Sequence, residues 1–251
     1  MSLSATPSRL YDAALALFYP QSCAVCGASV ESRFDGVACA PCWTETRSFS
    51  SADALCWKCG TPARVVVPDN KREQVRCRRC DDKAFDAARA CGVYEGAWRA
   101  SVIALKTVPH VPRRVLEIMQ QNFRQAPLQS ANLIVPVPLH PERERQRGFN
   151  QAAVLAQKLS HFAGLNIDAA SLIRTLPTQI HRAGMDARMR SESVAGAFAI
   201  CPGGFIADSH ILLVDDVYTT GATVSACAAV LKEAGARSVT VLTLARLREE
   251  F

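Results

Sequence analysis

Four Cys-x-x-Cys pairs follow one another in the first third of the chain, and they constrain its fold more than any other feature. The pairs are Cys23/Cys26, Cys39/Cys42, Cys56/Cys59 and Cys77/Cys80. Two cysteines separated by two residues can place both sulfur atoms on one tetrahedral metal ion, and two such pairs complete a four-thiolate site. The segments between the pairs are rich in turn-forming and polar residues, so this region has too little apolar core to fold unaided.

The spacing of the pairs favours two zinc sites. The gaps between successive pairs are 12, 13 and 17 residues, so pairs one with two and three with four each suit a ribbon-like site. An interleaved arrangement of the same cysteines is an alternative, as are buried thiols or a redox motif. A closed site of four thiolates leaves no position for water or substrate, so we predict structural zinc without a catalytic role.

The uneven distribution of cysteine indicates two domains. Nine of the 11 cysteines fall between Cys23 and Cys91 in a chain of 251 residues. We expect an N-terminal helix and double zinc-ribbon module over residues 1–85 and a larger domain over residues 86–251. With 49% hydrophobic and 21% charged residues, the chain has an ordinary globular composition and can bury a sizeable core.

Residues 8–18 are predicted to form a short amphipathic helix, without the order of segments that defines a signal peptide. No stretch approaches the roughly 20 apolar residues of a membrane span. We therefore expect a cytoplasmic protein without membrane insertion, in which reduced thiols bind metal in preference to forming disulfides. The formal net charge of +6 suits any anionic ligand, from a sugar phosphate to nucleic acid.

From Ala90 onward, strand-like and helix-like stretches alternate. The predicted strands cover residues 91–94, 133–138, 171–175, 211–217 and 238–245. The predicted helices cover residues 98–106, 113–124, 149–162 and 222–234. Strands rich in Val, Ile and Leu between such helices indicate an α/β fold with a parallel sheet flanked by helices. Ligands of such sheets bind at the carboxyl ends of the strands.

The strand at residues 211–214 is apolar throughout and runs directly into Asp215 and Asp216. Two adjacent carboxylates in this position are costly unless they bind ribose hydroxyls or a hydrated magnesium ion. A helix then opens at Thr219-Thr220-Gly221-Ala222-Thr223. Backbone amides at a helix start, threonine hydroxyls and a glycine form a site for a phosphate monoester. The plain alternative is a strand–turn–helix with an Asp turn and Thr caps.

A second candidate site follows the strand at residues 133–138, which ends in prolines. Arginines occupy alternate positions after it, at Arg143, Arg145 and Arg147. Such residues could form a solvated face, but they sit where a second phosphate cluster would bind. Forked guanidinium groups suit a pyrophosphate well.

Residues 211–223 resemble the 13-residue signature of the type I phosphoribosyltransferases. The resemblance implies a fold of that type and binding of 5-phosphoribosyl-1-pyrophosphate (PRPP) or a related sugar phosphate, with Mg²⁺. It further implies that Asp215 and Asp216 hold the ribose hydroxyls as the catalytic pair, and that Thr219 to Thr223 hold the 5-phosphate.

Four features together are similar to the ComF family, the competence protein F group that also includes GntX-like proteins. They are the paired cysteines, Leu105-Lys106, Arg147-Gly148-Phe149-Asn150-Gln151 and the signature loop. The resemblance covers nearly the whole chain and implies a cytoplasmic protein of DNA uptake in natural transformation, with Lys106 among the PRPP-binding residues. The chain departs from the family pattern at Thr107, where an aromatic residue is usual, and around residues 179–193.

Two functions remain open. One is an enzyme in which an acceptor displaces pyrophosphate from the activated ribose with the help of Mg²⁺. The other is a PRPP sensor that uses the zinc module to bind single-stranded DNA or DNA-uptake proteins. A purely transcriptional zinc protein has little support, because the larger domain carries the ligand motif. The sequence indicates neither the acceptor nor the oligomeric state.

Basic residues cluster beside the fourth cysteine pair. They are Lys71, Arg72, Arg76, Arg78 and Arg79. Such a run is usually a solvated face, and the alternative is a contact with single-stranded DNA. Trp43 and Trp57 could stack on bases or pack over a zinc site.

Overall fold

A computed structural model of the chain describes residues 21–63, 67–176, 196–201 and 206–248. The helix predicted at residues 8–18 and the departures from the family pattern at residues 179–193 lie outside the described residues. Within the described ranges, no helix combines the length and the apolar character needed to cross a membrane.

From Ala87 onward the chain contains both strands and helices, as the sequence predicts. The α-helices are α1 (Ala40–Glu45), α2 (Gly96–Leu105), α3 (Arg113–Phe123), α4 (Pro141–Arg147), α5 (Gln151–Ala163) and α6 (Ala222–Glu233). The strands are β1 (Ala87–Val93), β2 (Leu133–Pro136), β3 (Asn166–Ile167), β4 (Leu172–Arg174), β5 (Phe198–Ile200), β6 (His210–Tyr218) and β7 (Ser238–Arg246). The alternation is not strict, because β3 is followed directly by β4 and β5 by β6.

Five strands form a parallel sheet in the order β1-β7-β6-β2-β3. The strand predicted at residues 171–175 forms as β4, but it pairs antiparallel with β5 in a separate two-stranded sheet. β3 has only two residues, both exposed, so its sequence carries no apolar pattern. Pro136 of β2 lies in register with Val214 of β6, so the segments that follow these strands leave the sheet at the same carboxyl edge.

The two faces of β6 pack against different parts of the chain. Leu212 and Val214 belong to a core that contains buried residues of α2, α3 and α5. Ile211 and Leu213 belong to a second core, formed with α6, the β4–β5 hairpin and the second half of the cysteine module. Because side chains alternate along a strand, the next two residues, Asp215 and Asp216, point to the second and the first of these cores in turn. The alternation is not kept to the end of β6, because Val217 packs against the first core and Tyr218 lies in the second.

Helix α4 was not predicted, although its end signals are present in the sequence. Pro141 begins the helix, and Gly148 ends it with a left-handed φ of 85°. Glu142 and Glu144 lie in the first turn, and Arg145 and Arg147 in the last, which complements the helix dipole. The alternating arginines therefore lie on a helix of seven residues, a length too short to produce an apolar stripe.

The cysteine module packs along the edge of the sheet. The backbone amide of Phe49 donates to the Cys91 carbonyl oxygen at 2.7 Å, and that of Val93 donates to the Arg47 carbonyl oxygen at 3.0 Å. These bonds satisfy polar groups that edge strand β1 would otherwise expose. Backbone hydrogen bonds thus join the cysteine module to the sheet and do not mark a limit between two domains. The domain boundary at residue 85 stays a prediction.

Candidate functional site

The eight paired cysteines form two clusters, each built from two successive pairs. The first cluster is Cys23, Cys26, Cys39 and Cys42, and the second cluster is Cys56, Cys59, Cys77 and Cys80. Within each cluster all four sulfur atoms lie within 4.8 Å of one another. The interleaved arrangement is therefore wrong, and the predicted pairing of neighbours is confirmed.

The sulfur positions fit tetrahedral zinc. In the second cluster the Sγ atoms of Cys59 and Cys77 lie 3.4 Å apart, and those of Cys56 and Cys80 lie 3.7 Å apart. Zinc–sulfur bonds of about 2.3 Å in a tetrahedron separate neighbouring sulfur atoms by about 3.8 Å. The second cluster is buried throughout, whereas Cys26 of the first is exposed. Both clusters are closed sites, and zinc in them is structural.

Hydrogen bonds favour a thiolate in each cluster. The pKa of Cys56 falls to about 4, mainly because Cys59 donates a hydrogen bond to its sulfur and because backbone amides add to this effect. Burial opposes ionisation of Cys23, but the backbone amides of Cys26, Cys39 and Val25 lower its pKa to about 6. Anionic sulfur is the form that binds zinc.

Asp216 is held on the face of the sheet that packs against α2 and α5. It is 7% exposed, and its Oδ2 lies 3.4 Å from Lys106 Nζ at the end of α2. Gln151 Nε2, in the first turn of α5, donates to the same oxygen at 3.3 Å. Arg147 in turn donates to Gln151 Oε1. A chain of charged and amide groups thus fixes Asp216.

The beginning of α5 is tied to the end of β2, which explains how Gln151 reaches Asp216. Asn150 caps the helix, because its Oδ1 accepts a hydrogen bond from the amide of Ala152 at 2.9 Å. Its Nδ2 donates to the Val137 carbonyl oxygen at 3.0 Å. One buried side chain therefore fixes both elements at the carboxyl edge of the sheet.

Asp215 points to the opposite face and has a different environment. Its Oδ1 accepts a hydrogen bond from the amide of Asp216 at 2.8 Å. Burial raises the pKa of Asp215 well above its ordinary value, the charge of Asp216 raises it further, and Lys106 opposes both effects. Lys106 already offsets the charge of Asp216. A bound cation or hydroxyl group would therefore stabilise the ionised form of Asp215 more than that of Asp216.

The predicted phosphate loop, residues 219–223, follows β6 and runs into the first turn of α6, which begins at Ala222. Gly221 has a left-handed φ of 74°, and a Cβ placed there would lie 2.3 Å from the Tyr218 hydroxyl. Thr220 Oγ1 accepts a long hydrogen bond of 3.4 Å from the amide of Ala222. Thr219 is exposed and Thr223 is half-buried. A larger residue would need both the left-handed backbone and the space that Tyr218 fills, so this turn requires glycine.

Helix α4 separates the three predicted arginines. Arg143 and Arg147 lie one turn apart and share a face, whereas Arg145 projects from the other side of the helix. Arg143 and Arg145 are both exposed, and Arg147 is half-buried. Burial lowers the pKa of Arg147, the neighbouring charge of Arg143 lowers it further, and Asp216 opposes both. Arg143 and Arg147 thus face the carboxylate side of the site, and Arg145 does not.

Sequence reasoning missed Arg174 in β4. This residue is 8% exposed, and its Nη2 is buried without a hydrogen-bond partner among the described residues. Its Nε donates to the Leu176 carbonyl oxygen at 3.1 Å. Burial lowers the pKa of Arg174 and Arg143 lowers it further, while Cys227 and Asp215 oppose the shift. The signal in the sequence was an arginine at an inward position of an otherwise apolar strand.

Comparisons with known proteins agree with this architecture. Residues 14–81 match the family described as Double zinc ribbon domain. The chain is 30% identical over 241 residues to "DNA utilization protein YhgH" of Salmonella typhimurium, covering 92% of this chain and 99% of that protein. It is 36% identical over 118 residues to "Competence protein ComFC" of Bacillus subtilis, covering 45% of this chain and 44% of the relative. The chain belongs to the ComF family.

This ComF protein also has structural neighbours among phosphoribosyltransferases. A purine phosphoribosyltransferase from Pyrococcus horikoshii matches with a TM-score of 0.35 and 16% identity, covering 54% of this chain and 83% of the neighbour. A hypoxanthine-guanine phosphoribosyltransferase from L. donovani matches with a TM-score of 0.32 and 12% identity, covering 61% and 82%. The predicted fold, a parallel sheet flanked by helices with an N-terminal zinc-ribbon module, is confirmed.

Proposed function

We propose that this ComF-family protein binds PRPP, or a closely related sugar phosphate, at the carboxyl edge of its sheet. The observation that carries the proposal is the convergence of Asp215 and Asp216 with a glycine turn at the start of α6. Lys106, Gln151 and Arg147 surround Asp216 on one face. Cationic groups beside paired carboxylates suit a ligand that brings both anionic phosphates and hydroxyl groups.

Each part of the site has a role in this proposal. Backbone amides and hydroxyls of residues 219–223 bind the 5-phosphate, since a helix start favours an anion. Asp215 and Asp216 bind the ribose hydroxyls. Lys106, Arg143 and Arg147 bind the pyrophosphate. When bound, Mg²⁺ neutralises part of the diphosphate charge, and carboxylate oxygens are suitable ligands for it or for its water shell.

The buried Arg174 extends this proposal to the opposite face. Its Nη2 has no acceptor within the described ranges, and a buried donor without an acceptor is costly because it loses its hydrogen bond to water. The charges of Asp215 and Arg143 both act on Arg174, so it belongs to the same electrostatic neighbourhood. An anionic ligand oxygen would satisfy this donor.

Binding is tested with Asp215→Asn combined with Asp216→Asn. We expect this variant to lose Mg²⁺-dependent PRPP binding in calorimetric titration while it keeps a cooperative thermal transition. The matched control is Asp81→Asn with Asp82→Asn, a second adjacent pair of aspartates that lies exposed in the zinc module. Equal PRPP affinity in both variants would refute the site, and loss of folding in the first would favour a structural role for the carboxylates.

The names of the relatives suggest the process that this site serves. We propose that the protein is cytoplasmic and acts in the uptake or use of DNA, either as a phosphoribosyltransferase or as a PRPP sensor. Incubation with labelled PRPP, Mg²⁺ and cell extract separates the two. Release of pyrophosphate with a new ribosylated product would support the enzyme, and tight binding without turnover would support the sensor. The domain limits of 1–85 and 86–251 remain part of this proposal.

A second candidate function, contact with single-stranded DNA, is favoured by the surface of the second zinc ribbon. Arg76, Arg78 and Arg79 are exposed beside cysteines that are buried. Trp43 does not contribute to such a surface, because it is 4% exposed and packs edge-on against Trp98 at 5.1 Å. Trp57 is half-buried and lies against Arg89 instead.

A further inference from the structure

Arg246, the last residue of β7, connects the second cluster to the phosphate loop. The residue is 2% exposed, yet its guanidinium reaches two groups in the zinc module. Nη1 donates to the Cys59 carbonyl oxygen at 2.8 Å, and Nη2 donates to Thr61 Oγ1 at 2.6 Å. The same guanidinium carbon lies 5.0 Å from the centre of the Tyr218 ring. A single buried cation thus contacts both parts of the molecule.

The zinc side of this connection leads directly to a metal ligand. Thr61 Oγ1 lies 3.1 Å from Cys59 Sγ, so one hydroxyl joins the guanidinium to a sulfur of the second cluster. The turn between these residues is tightly packed, because a Cβ on Gly60 would lie 2.6 Å from the Ala88 carbonyl oxygen. The cysteine turn therefore has little freedom to move without disturbing Arg246.

The other side of the connection leads to the phosphate loop. Tyr218 ends β6, and Arg246 is its register partner on β7. The Tyr218 hydroxyl occupies the space that a Cβ on Gly221 would need. Its ring also packs edge-on against Phe85, with 6.2 Å between the ring centres. The Tyr218 side chain thus packs against the turn of the phosphate loop, and Arg246 packs against the ring of Tyr218.

We propose that zinc in the second cluster sets the affinity of the phosphate loop for its anion, with Arg246 as the positioning residue that transmits the effect. The Cys59 carbonyl oxygen and Thr61 Oγ1, which accept hydrogen bonds from Arg246, both lie in the zinc module. If the turn at residues 59–61 moves, the buried guanidinium of Arg246 loses the hydrogen-bond partners that offset its desolvation. It then moves away from the Tyr218 ring. The proposal rests on the proposed function, since it assigns a regulator to the same loop.

The first cluster provides the natural comparison. Its buried cysteines belong to the core on the other face of the sheet, with residues of α2 and α3. Loss of zinc there should leave the phosphate loop in place.

Arg89 provides a matched control for Arg246. It lies on β1, is 8% exposed, and donates to the Trp57 carbonyl oxygen at 2.9 Å. Its guanidinium carbon lies 5.2 Å from the centre of the Trp57 ring. Arg89 therefore anchors the same zinc ribbon without a contact to the phosphate loop. A general loosening of the ribbon would affect both arginine variants alike.

The test uses the full-length, zinc-loaded protein with Thr61→Val, Arg246→Lys and Arg89→Lys variants. Thr61→Val keeps every zinc ligand and removes only the hydroxyl that links the guanidinium to the sulfur. We expect it to weaken ribose 5-phosphate about fivefold in calorimetric titration, the effect of one hydrogen bond, with zinc content unchanged. Arg246→Lys should weaken binding more, and Arg89→Lys should match the parent.

Hydrogen exchange of the amides at residues 219–225 gives a second readout that needs no ligand. We expect Thr61→Val, Arg246→Lys and Cys56→Ser to speed this exchange about tenfold, while Cys26→Ser, in the first cluster, leaves it unchanged. Unchanged exchange in the first three variants would overturn the coupling, as would equal acceleration by Cys26→Ser or Arg89→Lys. Failure of ribose 5-phosphate to bind the parent would instead refute the proposed function, with the exchange data still deciding the coupling.

Discussion

Asp215 and Asp216 are neighbours in sequence but differ in their electrostatic environment, because they point to opposite faces of the sheet. Asp216 has Lys106 at 3.4 Å and an amide donor from Gln151. Asp215 is subject to burial and to the charge of Asp216, both of which raise its pKa. The sequence predicted two carboxylates at a ligand site. It could not predict this difference, since the partners come from three separate elements.

The first prediction concerns the stability of the ligand-free protein. A carboxyl group whose pKa is raised by folding binds its proton more tightly in the folded state, so its contribution to stability is lost as the pH rises through the folded pKa. We expect Asp215→Asn to raise the melting temperature near neutral pH and to flatten its decline with rising pH. Asp216→Asn, which removes the partner of Lys106, should lower the melting temperature. The same pH slope in parent and Asp215→Asn would contradict the raised pKa.

The second prediction concerns Arg147, which links the pyrophosphate side of the site to Gln151. Arg147→Ala should weaken PRPP by about 1.5 to 3 kcal/mol, the contribution of a charged hydrogen bond, and should leave ribose 5-phosphate nearly unchanged. Arg145→Ala is the matched control, because it removes the same charge from the other side of α4. Calorimetric titration with both ligands measures the effect. Equal losses of affinity for PRPP and ribose 5-phosphate would show that Arg147 does not bind the pyrophosphate.

At the scale of elements, the turn from β6 to α6 is the part of the site that the sequence predicts best. Its signals are local: an apolar strand, two aspartates, threonines and a glycine within 13 residues. Arg174 and Arg246 were not predicted, because their partners lie in other elements and depend on the packing of strands and hairpins. The short helix α4 was missed for a different reason, since it has charged residues on every side.

The third prediction tests the conformation of this turn. Gly221→Ala combines a left-handed backbone, which costs an alanine about 1 to 2 kcal/mol, with a collision against Tyr218. We expect a lower melting temperature and loss of ribose 5-phosphate binding. Gly164→Ala is the control: its φ is 67°, but no atom lies within 4 Å of the added Cβ in the described part of the chain. That variant should lose stability only, and equal binding by both would show that the turn does not hold the phosphate.

At the scale of the whole molecule, the alternation of strands and helices predicts a parallel sheet, and the cysteine spacing predicts the two clusters. The strand order β1-β7-β6-β2-β3 was not predictable in this way, because it depends on contacts between distant segments. The same contacts place the two cysteine clusters in different cores, one on each face of the sheet. Only the second cluster therefore lies on the side of α6 and the phosphate loop.

This arrangement leaves the outer surface of the second ribbon free for a partner. Its buried side contacts the sheet through Arg246 and Arg89, while Arg76, Arg78 and Arg79 are exposed. An exposed basic surface suits a flexible polyanion, bound through its phosphates without sequence preference.

The last prediction tests this surface with single-stranded DNA in filter binding across a salt series. Each neutralised phosphate contributes a slope of about 0.7 in the dependence of log affinity on log salt, so changing Arg76, Arg78 and Arg79 to Ser should reduce the slope by about 2. A control with Arg113, Arg237 and Arg248 changed to Ser removes the same charge from exposed positions elsewhere. Equal salt slopes in the two triple variants would show that DNA affinity depends on net charge alone and not on this surface. Absence of binding at low salt would leave proteins as the partners of this module.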